Sequence, residues 1–227
     1  MGNRELKARI VQLLGQDDFK DALETIRSIP GRQAVNPLFS LFYSGDEVIR
    51  WRAVSAMGSV VGHLADTAME SARVVMRRLM WNLNDESGGI GWGSPEAMGE
   101  ITAVHAGLAG EFASILISYI NPDGNFLEHE LLQRGSLWGV GRLAHARPVL
   151  AKTAAPFLTA FFDSPDPCLR GTAIWGAGPL IDGSLRPLLK ARLSDKAPLR
   201  LYRQMRMTQT TVADLAAAAL AATGIDA

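Results

Sequence analysis

Cysteine is almost absent: Cys168 stands alone among 227 residues. One thiol excludes a disulfide framework or a cysteine-based zinc site within a single chain. No apolar run reaches the roughly 18 residues that a membrane-spanning helix needs. The apolar stretch nearest the start, Ile10 to Leu14, is short for a secretory signal and follows Glu5. The expectation is a soluble, cytoplasmic protein with no membrane partner. Aromatic residues make up 7%, β-branched residues are sparse, and Ala and Leu are abundant. That bias favours helix over sheet.

Positive charge is also missing locally. Lys and Arg total 23 against 23 Asp and Glu, yet residues 79–133 contain no Lys or Arg. They hold eight acids: Asp85, Glu86, Glu96, Glu100, Glu111, Asp123, Glu128 and Glu130. Residues 134–206 reverse this, with 12 basic and 4 acidic side chains. Either the two stretches attract each other, or they form separate acidic and basic patches for partners.

What is present is helical periodicity. Ile49, Ala53, Met57, Val60 and Leu64 recur at three-and-four spacing, as do Met98, Ile101, His105, Leu108, Phe112, Ile115 and Tyr119. Frequent Pro, Gly and Asp breaks leave room for ten or eleven helices, with no convincing strand. The segments also repeat. Pro37 to Ala53 can be laid over Pro156 to Ala173 with one inserted residue, which pairs Asp46 with Asp166 and Arg50 with Arg170. Trp138-Gly-Val-Gly-Arg-Leu143 matches Trp175-Gly-Ala-Gly-Pro-Leu180. Asp46 and Asp166 are placed to cap a second helix through its free N–H groups. Gly58, Gly141 and Gly178 suit close helix approach.

At these residues the chain resembles the HEAT-like repeat family, particularly the short bacterial repeats named after phycobilisome lyases. The resemblance implies an all-α fold: a solenoid, or α/α superhelix, of about five stacked HEAT-like helix pairs over residues 1–227. N-terminal repeats would occupy 1–82 and C-terminal repeats 95–227, around a Gly-rich inserted loop at 83–94. An irregular helical bundle is the alternative. On the solenoid reading the second helices line a concave face, and Arg50, Arg134, Trp138, Arg170 and Trp175 are its candidate partner-binding residues.

Residues 81–100 exceed what a repeat turn requires. Gly88, Gly89, Gly91 and Gly93 lead to Ser94, a candidate N-cap, and Pro95. The segment is either a long turn or a site. As a site, its candidates are Trp81, Asn84, Asp85, Glu86, Trp92, Glu96 and Glu100. Glu96 and Glu100 share a helix face, with Glu111 near it. Any metal, Ca²⁺ or Mg²⁺ by ligand type, would rest on Asp85, Glu86, Glu96 and Glu100. A protonated amine under the Trp92 ring is the other fitting ligand. No Walker or dinucleotide-binding motif is present.

No nucleophile elbow or zinc-protease motif occurs. Cys168 reads as a buried small residue and His105 as a core histidine. The functional expectation is therefore a scaffold or protein-interaction module without catalysis or cofactor. Ligand or cation binding at the 81–100 loop, with or without an enzymatic role, is the first alternative. The second is a HEAT-like DNA-binding protein of the alkylpurine glycosylase type. Seven basic residues between Arg186 and Arg206 speak for that reading, and zero net charge against it.

Overall fold

The computed structural model describes residues 2–83 and 91–222. The chain divides into two compact units, Met1–Phe112 and Ala113–Ala227. The Gly-rich segment 83–94 belongs to the first of them.

The first unit contains α1 (Asn3–Leu14), α2 (Phe19–Arg27), α3 (Gly31–Leu41), α4 (Glu47–Leu83) and α5 (Ser94–Val104). It also contains the first part of α6 (Ala106–Ser118). The three-and-four stripe of α4 forms its core: Met57, Met76 and Leu79 are closed to solvent, together with Leu38, Met98 and Ile101. Helix α4 packs against both α3 and α5. It bends at Ala68, whose φ of −151° and ψ of 66° interrupt the helix. The stripe from Met98 to Tyr119 is two helices. His105 leaves helical geometry at φ −117° and ψ 118°, and its Nδ1 accepts from the Leu108 N–H at 3.1 Å. A side-chain acceptor that satisfies the first turn of a following helix favours a break there.

The second unit holds α7 (Glu130–Ala146), α8 (Pro148–Ala151), α9 (Ala155–Thr159), α10 (Pro167–Ala177), α11 (Leu185–Lys190) and α12 (Val212–Ala222). Helices α7 and α10 pack closely because Gly141 permits it. A Cβ at Gly141 would stand 2.7 Å from the Trp175 ring and 3.0 Å from the Gly176 Cα. The Gly176 backbone cannot retreat as a flexible side chain would. Gly141→Ala should therefore destabilise the protein by about 1–3 kcal/mol through overpacking. Thermal unfolding beside the wild type measures this; an unchanged midpoint would show that the helices can separate cheaply.

One element corrects the expectation of no strand. Strands β1 (Pro198–Arg203) and β2 (Arg206–Thr211) form an antiparallel hairpin with Arg203 opposite Arg206. Leu199, Leu201 and Tyr202 are buried, and Leu199 seats on Gly171 of α10. The alternation Leu199-Arg200-Leu201 is period two, but too brief to outweigh the helical context. The turn residues Gln204 and Met205 carry φ of 51° and 61° without being glycine or asparagine. The usual hairpin signal is therefore missing.

Candidate functional site

The repeat overlay is matched in detail by hydrogen bonds. In the first unit Asp46 accepts from the Val48 and Ile49 N–H groups at 2.8 and 3.3 Å. Its own N–H donates to Ser44 Oγ, and Arg50 Nη1 donates to the Ser44 carbonyl at 2.9 Å. In the second unit Asp166 accepts from Cys168 N–H at 2.9 Å and donates to Ser164 Oγ, while Arg170 Nη1 reaches the Ser164 carbonyl at 2.7 Å. Each Asp caps a helix, and each Arg one turn later folds back over that cap.

Within the second unit the arginines also reach forward. Arg134 Nε donates to Asp166 at 3.0 Å and Nη2 to Glu130 at 2.5 Å. Arg170 holds Asp195 through Nε at 3.0 Å and Nη2 at 2.9 Å. Asp195 itself accepts from the Ala197 N–H. The arrangement is a ladder in which an arginine of one segment grips an acid of the next: Asp166, which caps α10, and Asp195, which precedes β1.

In the first unit Arg50 has no forward acid among the described residues. The next helix, α5, has Gly93 at its N-cap, where an Asp would stand, and Ser94 inside the first turn. Gly93 adopts φ 77°, and a Cβ there would meet the Phe42 ring at 2.6 Å. Only glycine fits both constraints. The acid nearest that position in sequence is Glu96, whose Oε2 is enclosed without a hydrogen-bond partner among the described residues. Burial pushes this carboxyl up to about 7, against the lowering pulls of its own backbone N–H and of the Arg50 charge. The residue as a whole keeps partial exposure, but the enclosed oxygen governs the titration. The Ser94 hydroxyl is also buried and unpartnered.

At the edge of this region Trp92 and Tyr43 stack at 6.4 Å with an interplanar angle of 19°. They remain 37% and 52% exposed, and Trp81 is 73% exposed. Glu100 is buried, with its chain laid over Gly58 of α4. Glu111 is engaged by Arg73 through two bonds of 2.7 and 2.8 Å. That pairing across helices was invisible to a single-helix wheel. Asn84, Asp85 and Glu86 lie outside the described residues. Among the described residues no three His, Cys, Asp or Glu side chains gather as a metal set.

The second-unit candidates sit as follows. Trp138 is buried, and its indole N–H donates to the Tyr202 carbonyl at 2.7 Å. Its ring stacks on Trp175 at 6.1 Å, which in turn stacks on His145 at 4.7 Å. The matched Trp-Gly-x-Gly segments are thus neighbours in space. Cys168 is half-buried; burial first, and the Asp166 carboxylate second, push its thiol up, so it is held as the thiol. Of the basic run, Arg192 pairs with Asp163.

Two features escaped sequence reasoning. One is the position of His145 on the Trp175 face. The other is an apolar groove of about 670 Å³, lined by Pro148, Val149, Pro156, Leu180 and Leu188, with Lys152 and Asp182 in its wall. Val149 is 85% exposed there. Its prolines read in sequence as turn punctuation.

No family model matches the sequence, and no curated protein matches it. Solved structures do. A designed armadillo repeat protein is similar at 17% identity, over 94% of this chain and 98% of its own, with a TM-score of 0.50. Two engineered proteins are similar at 15% and 16% identity, each over 97% of this chain and over 96% and 98% of their own. Their TM-scores are 0.53 and 0.51. At such identity the likeness concerns the fold alone: this is a helical repeat solenoid, and no described helix is long and apolar enough to cross a membrane.

Proposed function

We propose that this chain is a non-catalytic protein-interaction module built from HEAT-type repeats, with a partner seated beside the Gly93 turn. The observation that carries the reading is the exposed aromatic stack of Tyr43 and Trp92; Trp81 is exposed as well. Aromatic side chains are enriched at protein interfaces, where a large rigid ring loses little entropy on burial. Glu96 supports it: among the described residues its enclosed carboxyl oxygen has no hydrogen bond to break before a partner's N–H arrives.

The test is cross-linking mass spectrometry on the full chain in its native cells, with the triple variant Tyr43→Ala/Trp81→Ala/Trp92→Ala as comparison. The expected result is one protein cross-linked around Trp92, captured at least about tenfold less by the variant, with unchanged circular dichroism. A partner set that is the same for both chains would remove the reading.

The unpartnered Glu96 oxygen favours one second reading, a small cationic ligand beneath Trp92. Tryptophan fluorescence titrated with Ca²⁺, Mg²⁺ and alkylamines separates the two. A saturable response that Glu96→Gln abolishes would put the ligand reading first.

A further inference from the structure

The hairpin of the second unit presents an unusual arrangement of charge. Arg203 and Arg206 are directly opposite across the two strands. Like charges at such a pair repel and destabilise a sheet. Neither has an ion-pair partner among the described residues; Arg203 Nε makes one 3.2 Å bond, to the Thr208 hydroxyl. The turn that joins them holds two non-glycine residues, Gln204 and Met205, at positive φ. Repulsion at this exposed hairpin tip calls for something that offsets it.

The neighbouring surface supplies the rest. Trp138, Arg142 and His145 lie at i, i+4 and i+7 on α7 and so share a face. His145 keeps solvent access as a residue, while one face of its ring is covered by Trp175. Nε2 is 3.0 Å from the Trp175 carbonyl. A carbonyl only accepts, so Nε2 carries the hydrogen and Nδ1 is left as the site for a second proton. The groups that act on this ring are burial, the Trp175 carbonyl, Arg142 and Arg203. Burial and the two arginines hold it below the ordinary histidine range, against the upward pull of the carbonyl; no acid is among them.

We propose that the hairpin tip and the Trp175–His145 stack form a binding site for a phosphoryl dianion. Arg203 and Arg206 contribute two guanidinium groups, and His145 contributes a further N–H when it takes up a proton at Nδ1. Guanidinium pairs match the geometry of tetrahedral oxyanions, and the anion removes the repulsion between them. A discrete phosphomonoester suits this surface better than a nucleic-acid backbone. The ladder engages Arg134 and Arg170, and Asp163 engages Arg192. That leaves the two tip arginines as a discrete pair rather than part of one groove with Arg134, Arg170 and Arg192. Binding draws a proton onto His145, so affinity rises as pH falls.

Calorimetric titration of the full chain with sulfate at low ionic strength tests this, because sulfate stays a dianion from pH 5.5 to 8. O-phosphoserine and a short DNA duplex are the comparison ligands. Sulfate and O-phosphoserine should bind saturably, with sulfate roughly tenfold tighter at pH 5.5 than at pH 8. The His145 ring resonances should titrate at higher pH when sulfate is present. Arg203→Gln/Arg206→Gln should weaken binding at least about tenfold with circular dichroism unchanged. His145→Gln should keep binding at pH 8 and lose its pH dependence. Unaltered binding in the arginine variant, or a His145 titration indifferent to sulfate, would overturn the site. A DNA preference that falls steeply with salt and ignores His145→Gln would also overturn it, in favour of a polyanion surface.

Discussion

Arg170→Met should cost the protein about 3 kcal/mol, the largest effect expected of any single substitution in the ladder. The side chain is 13% exposed and its partner Asp195 is 19% exposed. It also satisfies the Ser164 and Pro165 carbonyls. Removing the guanidinium leaves Asp195 charged and largely enclosed, and breaking such a pair on one side costs several kcal/mol. Arg134→Met is the internal control. Arg134 is 38% exposed; its partners are Glu130, 62% exposed, and Asp166, 19% exposed. The Glu130 pair is open and contributes at most about 1 kcal/mol, and Asp166 keeps its bond from the Cys168 N–H, so the expected loss is the smaller of the two. Urea unfolding of both variants gives the contrast. Equal losses would mean that Arg170 is not structural, and would return it to the partner-binding surface on which the repeat pattern places it.

Glu96→Gln should act in the opposite direction. The folded carboxyl titrates at about 7 against an ordinary 4.5. A raised value means that the folded state holds the proton more tightly than the unfolded one. The stability it confers is complete below about 4.5 and is lost as pH rises through about 7. At ~1.4 kcal/mol per pH unit, the loss approaches 3 kcal/mol by pH 8. Glutamine is neutral throughout and avoids it. The variant should match the wild type near pH 4 and exceed it by up to about 3 kcal/mol at pH 8, measured by urea unfolding across that range. A constant difference between the two would show that the carboxylate is not enclosed in solution. A site that holds a destabilised carboxylate where glutamine would be more stable is a common mark of function.

The readable parts of this chain were those whose physics is local. A helix declares itself within four residues, so the Ile49–Leu64 stripe and the Asp46 and Asp166 caps were legible from spacing alone. The overlay of residues 37–53 on 156–173 was legible for the same reason, because each copy makes its own cap. The break at His105 was not. It depends on a histidine ring turning back to the Leu108 N–H, and the apolar stripe continues undisturbed across it. The N-cap of α5 was misplaced by one residue, onto Ser94, because a serine there has the right chemistry. Contact with Phe42 decided for Gly93.

By itself the sequence determined the helical content, the repeat, the capping acids and the exclusion of disulfide and cysteine–zinc chemistry. Each follows from residue type and short-range spacing. Only the tertiary structure decided which acid Arg134 and Arg170 each hold. It alone placed Glu111 on Arg73, and folded Pro198–Thr211 into a hairpin docked on Trp138 and Gly171. Those outcomes turn on residues 25 to 64 positions apart. Their energies come from burial and charge pairing that exist only once the segments have packed.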